Sequence, residues 1–108
     1  MNYKTWETDG FSVLELSGDV DLSCSPDARK QVLQCLDGGL HLLVDLSGVT
    51  YIDSSGIASL VEGFQTAKKK GVKFGLVGVS PAALSVLQLA RLDKVFPIFA
   101  SIEDGTRV

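Results

Sequence analysis

The sequence holds only two cysteines, Cys24 and Cys35, and one histidine, His41. Without a C-x-x-C pair or a second histidine no metal set can be assembled, so two reduced thiols, no metal and no cofactor are expected. A basic excess is also missing. Ten Lys and Arg stand against thirteen Asp and Glu, a formal net charge of -3, which argues against a sequence-independent nucleic-acid binder that must neutralise phosphates. No apolar run approaches the ~20 residues of a membrane span, and Met1-Asn2-Tyr3-Lys4 opens no signal peptide. A cytoplasmic location without membrane insertion is the expectation. Repeats, linkers and low-complexity segments are absent as well. What remains is 45% hydrophobic, enough to bury a core in one domain over residues 1–108.

The chemistry of the chain concentrates where one apolar strand gives way to one apolar helix. Leu40-His41-Leu42-Leu43-Val44-Asp45-Leu46 is nearly unbroken aliphatic sequence, the pattern of a strand buried on both faces. Beyond it Ile57, Leu60, Val61, Phe64 and Ala67 recur with helical period, and Gly71 is placed to stop the helix. Asp53-Ser54-Ser55-Gly56 is then the turn into that helix. Unpaired N–H groups and the positive dipole end there attract side-chain oxygens and, equally, phosphate. Two readings stay open at this level. The four residues can be an ordinary cap, contributing ~1 kcal/mol. Against that stands a surplus, since three oxygen-bearing side chains crowd where one suffices, beside a Gly that lets another backbone approach.

The flanking elements complete the order. Residues 3 to 7 form a short edge strand, and Asp9-Gly10 is a favoured two-residue hairpin turn. In Phe11-Ser12-Val13-Leu14-Glu15-Leu16-Ser17 apolar residues fall on both phases of the alternation, as in an inner strand covered fully on one face and partly on the other. Gly18-Asp19-Val20-Asp21-Leu22-Ser23 reads as an acidic loop, either a solvated turn or a partner-facing one. Ser25-Pro26 starts a helix by cap and proline, with Ala28 or Arg29, Val32, Leu33 and Leu36 inward and Gly38-Gly39 as the stop. Residues 72 to 79 read as a buried strand whose two glycines mark close approach or a bend. Ser80-Pro81 opens a third helix, ended by Leu92-Asp93-Lys94. Pro97 limits residues 95 to 99 to a short or edge strand, and residues 101 to 104 begin a last helical turn. The result is an α/β domain of order β-β-α-β-α-β-α-β with a short terminal α. Its four- to five-stranded sheet is mixed, mostly parallel and packed with helices. Lys68-Lys69-Lys70 complements the dipole at a helix end, or meets anionic lipid or an acidic partner.

Two segments together, Gly18-Asp19-Val20-Asp21 and Val44-Asp45-Leu46-Ser47-Gly48-Val49-Thr50-Tyr51-Ile52-Asp53-Ser54-Ser55-Gly56, resemble the paired signatures of the STAS domain as found in bacterial anti-sigma factor antagonists. The resemblance spans nearly the whole chain. It implies a protein-binding switch without catalysis of its own. Ser54 would be phosphorylated by a partner that is both an anti-sigma factor and a serine kinase of histidine-kinase-like ATPase fold, and a serine phosphatase would reset it. The implied partner surface comprises Asp19, Val20, Asp21, Leu22 and Ser23 with Asp53, Ser54, Ser55, Gly56 and Ile57. A second branch of the family is similar almost as closely, the STAS subunit that binds the ATPase of a phospholipid-transport ABC system. Ser54 with Ser55, where that branch often has Thr, favours the antagonist. An enzyme is disfavoured by the residues themselves. His41 lies at the far end of the strand from Ser54, roughly 20 Å or more at strand rise, too far to serve as its base. Nor does a phosphate-binding Gly-rich loop with Lys exist, since Ile57 and Ala58 follow Gly56.

Overall fold

The structure, a computed structural model, describes residues 1–107. Its elements are β1 (Asn2–Thr8), β2 (Phe11–Val20), α1 (Ser25–Asp37), β3 (His41–Ile52), α2 (Ser54–Lys70), β4 (Phe74–Val77), α3 (Pro81–Leu89), β5 (Ile98–Phe99) and α4 (Ile102–Thr106). Asp9 and Gly10 both take positive φ, 52° and 79°, which gives the turn the twist that lets β1 fold back antiparallel on β2. Each later strand joins in parallel after a helical crossover. The sheet has five strands in the order β1-β2-β3-β4-β5, the mixed and mostly parallel arrangement expected.

The two phases of the central strands face two different cores. On one face Leu14, Leu16, Leu42, Val44, Leu46 and Leu76 pack with Ala28, Val32 and Leu36 of α1, Ile57, Leu60 and Ala67 of α2, and Ala83 and Leu87 of α3. On the other face Phe11, Val13, Leu43 and Val77 form a smaller cluster, closed by Phe99 and by Ile102 of α4. This division is why β2 shows no clean alternation. It also makes α4 a working part of the fold despite its five residues.

Phe64 is inward but only half-buried. Its ring leans on Phe74 and Phe96 with centroids 5.8 and 5.3 Å apart, and Lys68 Nζ covers it 4.6 Å from the centroid. Because part of its surface already faces solvent, Phe64→Ala is expected to destabilise by about 2 kcal/mol, less than a fully buried Phe. Chemical denaturation checks this. An unchanged midpoint would mean that the three-ring cluster contributes nothing.

Several boundaries differ from the sequence expectation. Gly18, Asp19 and Val20 belong to β2, because β3 runs on to Ile52 and pairs with them through register shifts between Glu15 and Ser17 and between Gly18 and Asp19. Gly18 takes φ 80° at the second irregularity, where the extra residue, Thr50, lies on β3. Ser25 does not cap α1. Cys24 holds the cap position with no side-chain bond, and Ser25 is buried inside the first turn. Arg29 is exposed and pairs with Glu62 of α2 instead of facing inward. Ser80 does cap α3, its Oγ accepting from Ala83 N–H at 3.2 Å. That helix ends at Leu89, because Arg91 turns left-handed at φ 60° and Leu92 N–H closes onto Leu87 O at 2.8 Å. β4 is confined to four residues, and Gly78 leaves it at φ 58°.

Candidate functional site

Parallel pairing of Val20 with Ile52 brings the C-terminal ends of β2 and β3 side by side. The loop after β2 and the turn into α2 therefore meet, although 31 residues separate their contacting members. Asp53 is the residue that joins them. It caps α2 in extended conformation at φ -105° and ψ -175°. Its Oδ1 accepts from Ser55 N–H at 3.0 Å, Gly56 N–H at 3.2 Å and the Ser55 hydroxyl at 2.5 Å. Its Oδ2 accepts from Leu22 N–H at 3.1 Å, across the gap. With donors on both oxygens, the carboxyl is held below the ordinary carboxylate range, first by the Ser55 hydroxyl and then by the backbone donors.

Asp21 has its own clasp. Oδ1 accepts from the Ser23 hydroxyl at 2.5 Å and Ser23 N–H at 3.0 Å, and these bonds lower its pKa against the opposing pushes of desolvation and then of the Asp53 charge. Cys24 Sγ completes the loop by donating to Asp19 O at 3.3 Å. Asp19 itself turns elsewhere, accepting from the Thr50 hydroxyl at 2.7 Å. So the acidic segment splits. Asp21 faces the Asp53 turn, and Asp19 is bound along the β3 strand.

Not all of the expected partner-facing residues reach the surface. Val20, Gly56 and Ile57 are buried, and they shape the site from beneath. A Cβ on Gly56 would lie 2.7 Å from Ile52 Cγ1 and 2.9 Å from Val20 O, so Gly is required there by close approach rather than by φ. Leu22 is 73% exposed, and Ser23 and Ser54 are exposed too. Among the described residues the Ser54 hydroxyl has no protein partner, whereas the Ser55 hydroxyl is committed to Asp53. Tyr51 was missed. It is half-exposed at the end of β3 and paired with Asp19; it shares the alternation phase of buried Val49 and is turned outward only because β3 carries an extra residue, Thr50, at the register shift, which no sequence signal marked.

A pH dependence follows with a definite sign. A carboxylate whose folded pKa lies below its unfolded value stabilises fully above the unfolded value, and that stabilisation is lost as pH falls through the folded one. Asp53→Asn is therefore expected to flatten the loss of stability below about pH 4, while Lys68→Gln is expected to leave it intact. Thermal melts across that range check it, and equal acid sensitivity in Asp53→Asn and the parent chain would contradict the assignment.

The comparisons with known proteins agree with this fold. The STAS domain family profile matches residues 2–105. The chain is 30% identical over 99 residues to the anti-sigma-F factor antagonist RsfB of Mycobacterium tuberculosis, covering 89% of this chain and 79% of that one. It is 26% identical over 94 residues to the anti-sigma-B factor antagonist of Bacillus subtilis, covering 87% and 86%. The crystal structure of an anti-sigma factor antagonist from Mycobacterium paratuberculosis superposes with a TM-score of 0.89 at 27% identity, over 99% of this chain and 94% of the other. Fold, element order and sequence agree over nearly the full length, and the chain belongs to the STAS domain family.

Proposed function

We propose that the chain is an anti-sigma factor antagonist, a cytoplasmic binding switch with no catalysis of its own. In its unphosphorylated form it sequesters an anti-sigma factor that is also an ATP-dependent serine kinase. Ser54 is the phosphoacceptor, and a serine phosphatase resets it. The observation that carries this reading is the division of labour around Asp53. The carboxylate secures the helix end and the neighbouring loop through Ser55, Gly56 and Leu22, so the exposed Ser54 hydroxyl is not needed for capping. A kinase can take it without unmaking the fold. Phosphate there adds about -1.5 to -2 charge beside Asp53, which the helix dipole offsets only in part. In the free domain that charge stays hydrated. In an interface it must be desolvated or face the acids of its own loop.

Mass spectrometry after incubation with a cognate kinase and ATP tests the assignment. Phosphate on Ser54, lost in Ser54→Ala and retained in Ser55→Ala, is expected; undiminished labelling of Ser54→Ala would refute it. Self-phosphorylation or ATP turnover by the chain alone would refute the binding-switch reading. Recovery of a transporter ATPase as the partner, with neither serine modified, would put the chain in the lipid-transport branch. The two loop acids should also separate. Asp21→Asn is expected to change partner affinity severalfold in calorimetry, and Asp19→Asn to change it less, because Asp19 is tied to Thr50. Equal effects would mean that the partner reaches along the strand to both.

A further inference from the structure

The two edges of the sheet are not alike. β5 is two residues long and follows Pro97, which has no N–H to offer, so a further strand finds little to pair with there. β1 is the opposite case. It runs for seven residues, Asn2–Thr8, without proline, is rich in strand formers, and pairs with β2 from end to end without a register shift. Its outer side has no strand neighbour among the described residues. Asn2 to Glu7 are all exposed, Tyr3 to 48% and Trp6 to 37%. Of the devices that keep strand edges apart, β1 carries the charges of Lys4 and Glu7. These two suit a second copy of the same strand.

A two-fold antiparallel pair must set one residue opposite its own copy, because opposed residues turn their backbone groups the same way in the alternation. With Thr5 on the axis all seven residues pair, whereas any other axis pairs at most residues 2 to 6 or 4 to 8. Lys4 or Glu7 on the axis would also face a like charge. The Thr5 axis sets Asn2 opposite the partner's Thr8, Tyr3 opposite the partner's Glu7 and Lys4 opposite the partner's Trp6. We propose that the chain self-associates through β1 in this register, an isologous dimer in which two five-stranded sheets become one. Both faces of the seam gain complementary pairs. Lys4 and Trp6 stand beside Glu15 and Val13 of β2, on the face that Ile102 of α4 covers. Lys4 then lies between its own Glu15 and the partner's Trp6, an ammonium and its stem against a ring. On the other face the phenol of Tyr3 meets the partner's Glu7 carboxylate. The contact is one strand wide, which places the dimer in the weak, transient class. β2 stands between the seam and the turn into α2, so both Ser54 turns stay open and the dimer is independent of the function proposed there.

Sedimentation equilibrium from micromolar to millimolar chain, with amide hydrogen exchange at each concentration, tests the proposal. A monomer–dimer equilibrium is expected, with exchange protection that rises with concentration and is confined to residues 2 to 8. Trp6→Lys sets an ammonium opposite the partner's Lys4, twice in each dimer, and is expected to weaken association by about tenfold or more. Trp6→Glu sets a carboxylate opposite the same ammonium and is expected to retain it. Both variants remove the ring and add one charge at an exposed position, so their divergence reports the Lys4 to Trp6 register and not the loss of the aromatic surface. Thermal melts confirm that each is folded, and the exchange pattern of the parent chain reads the seam without any substitution. A chain that stays monomeric throughout the series, a dimer whose protected amides lie outside β1, or equal association by Trp6→Lys and Trp6→Glu would overturn the proposal.

Discussion

Ser54→Asp is expected to weaken partner binding by about a hundredfold or more, and phosphate at the same position by at least as much. Such a loss corresponds to ~3 kcal/mol, well within what an unpaired charge forced into an interface takes away. The asymmetry between the two serines gives the expectation its edge. Ser54 is exposed, and among the described residues its hydroxyl has no protein partner. Ser55 donates to Asp53 at 2.5 Å. A carboxylate at 54 thus changes charge at the surface and little else, and its melting temperature should stay near that of the parent chain. At 55 the same replacement would set two carboxylates against each other within the cap and lower stability. Calorimetric titration of the partner with each variant, beside thermal melts, separates the two effects. Retained affinity in Ser54→Asp would show that the partner does not cover this helix end.

Gly56→Val is expected to lower stability by about 3 kcal/mol or more and the melting temperature by more than about 10 °C. Helix propensity alone favours replacement of a helical Gly, by up to ~1 kcal/mol for Ala. Sterics override it here, because the obstacle is partly backbone. Val20 O lies 2.9 Å from the new Cβ and cannot rotate away as a side chain can, and Ile52 Cγ1 is closer still. Val20 O also accepts from Asp53 N–H at 3.2 Å, so relief of the clash pulls the helix end off the strands that position it. Gly71→Ala is the control. Its Cβ meets open space and its cost is that of φ 73° alone. If Gly56→Val melted no lower than Gly71→Ala, close approach at the helix start would not be what fixes this glycine.

Local backbone chemistry was the legible part of the fold. Asp9-Gly10, Ser80-Pro81 and Gly71 each act through their own φ or their own capping oxygen, so the sequence around them suffices. Ser25-Pro26 misled for a tertiary reason. Ser25 is taken into the interface with α2, where its carbonyl accepts from the Ser59 hydroxyl at 3.3 Å. Gly18-Asp19-Val20 resembled a turn because glycine and acid usually mark one, yet a long parallel neighbour keeps it in the sheet through a bulge. At the site, the Asp-Ser-Ser-Gly turn was visible from composition. The bond from Leu22 N–H to Asp53 was not, since it exists only once the β2–β3 register is set. The split between Asp19 and Asp21 follows from the same register.

Strand order along the sheet is the order of the strands in the chain. During synthesis the sheet can therefore grow by addition at one edge. The β1–β2 hairpin forms from neighbouring residues, and each later strand lays itself against the one just made, after a single right-handed crossover. No strand has to be inserted between two that are already paired. The edge left open at each stage is covered by the next segment to emerge, which shortens the time that parallel strands, slow to pair and prone to associate, spend unprotected.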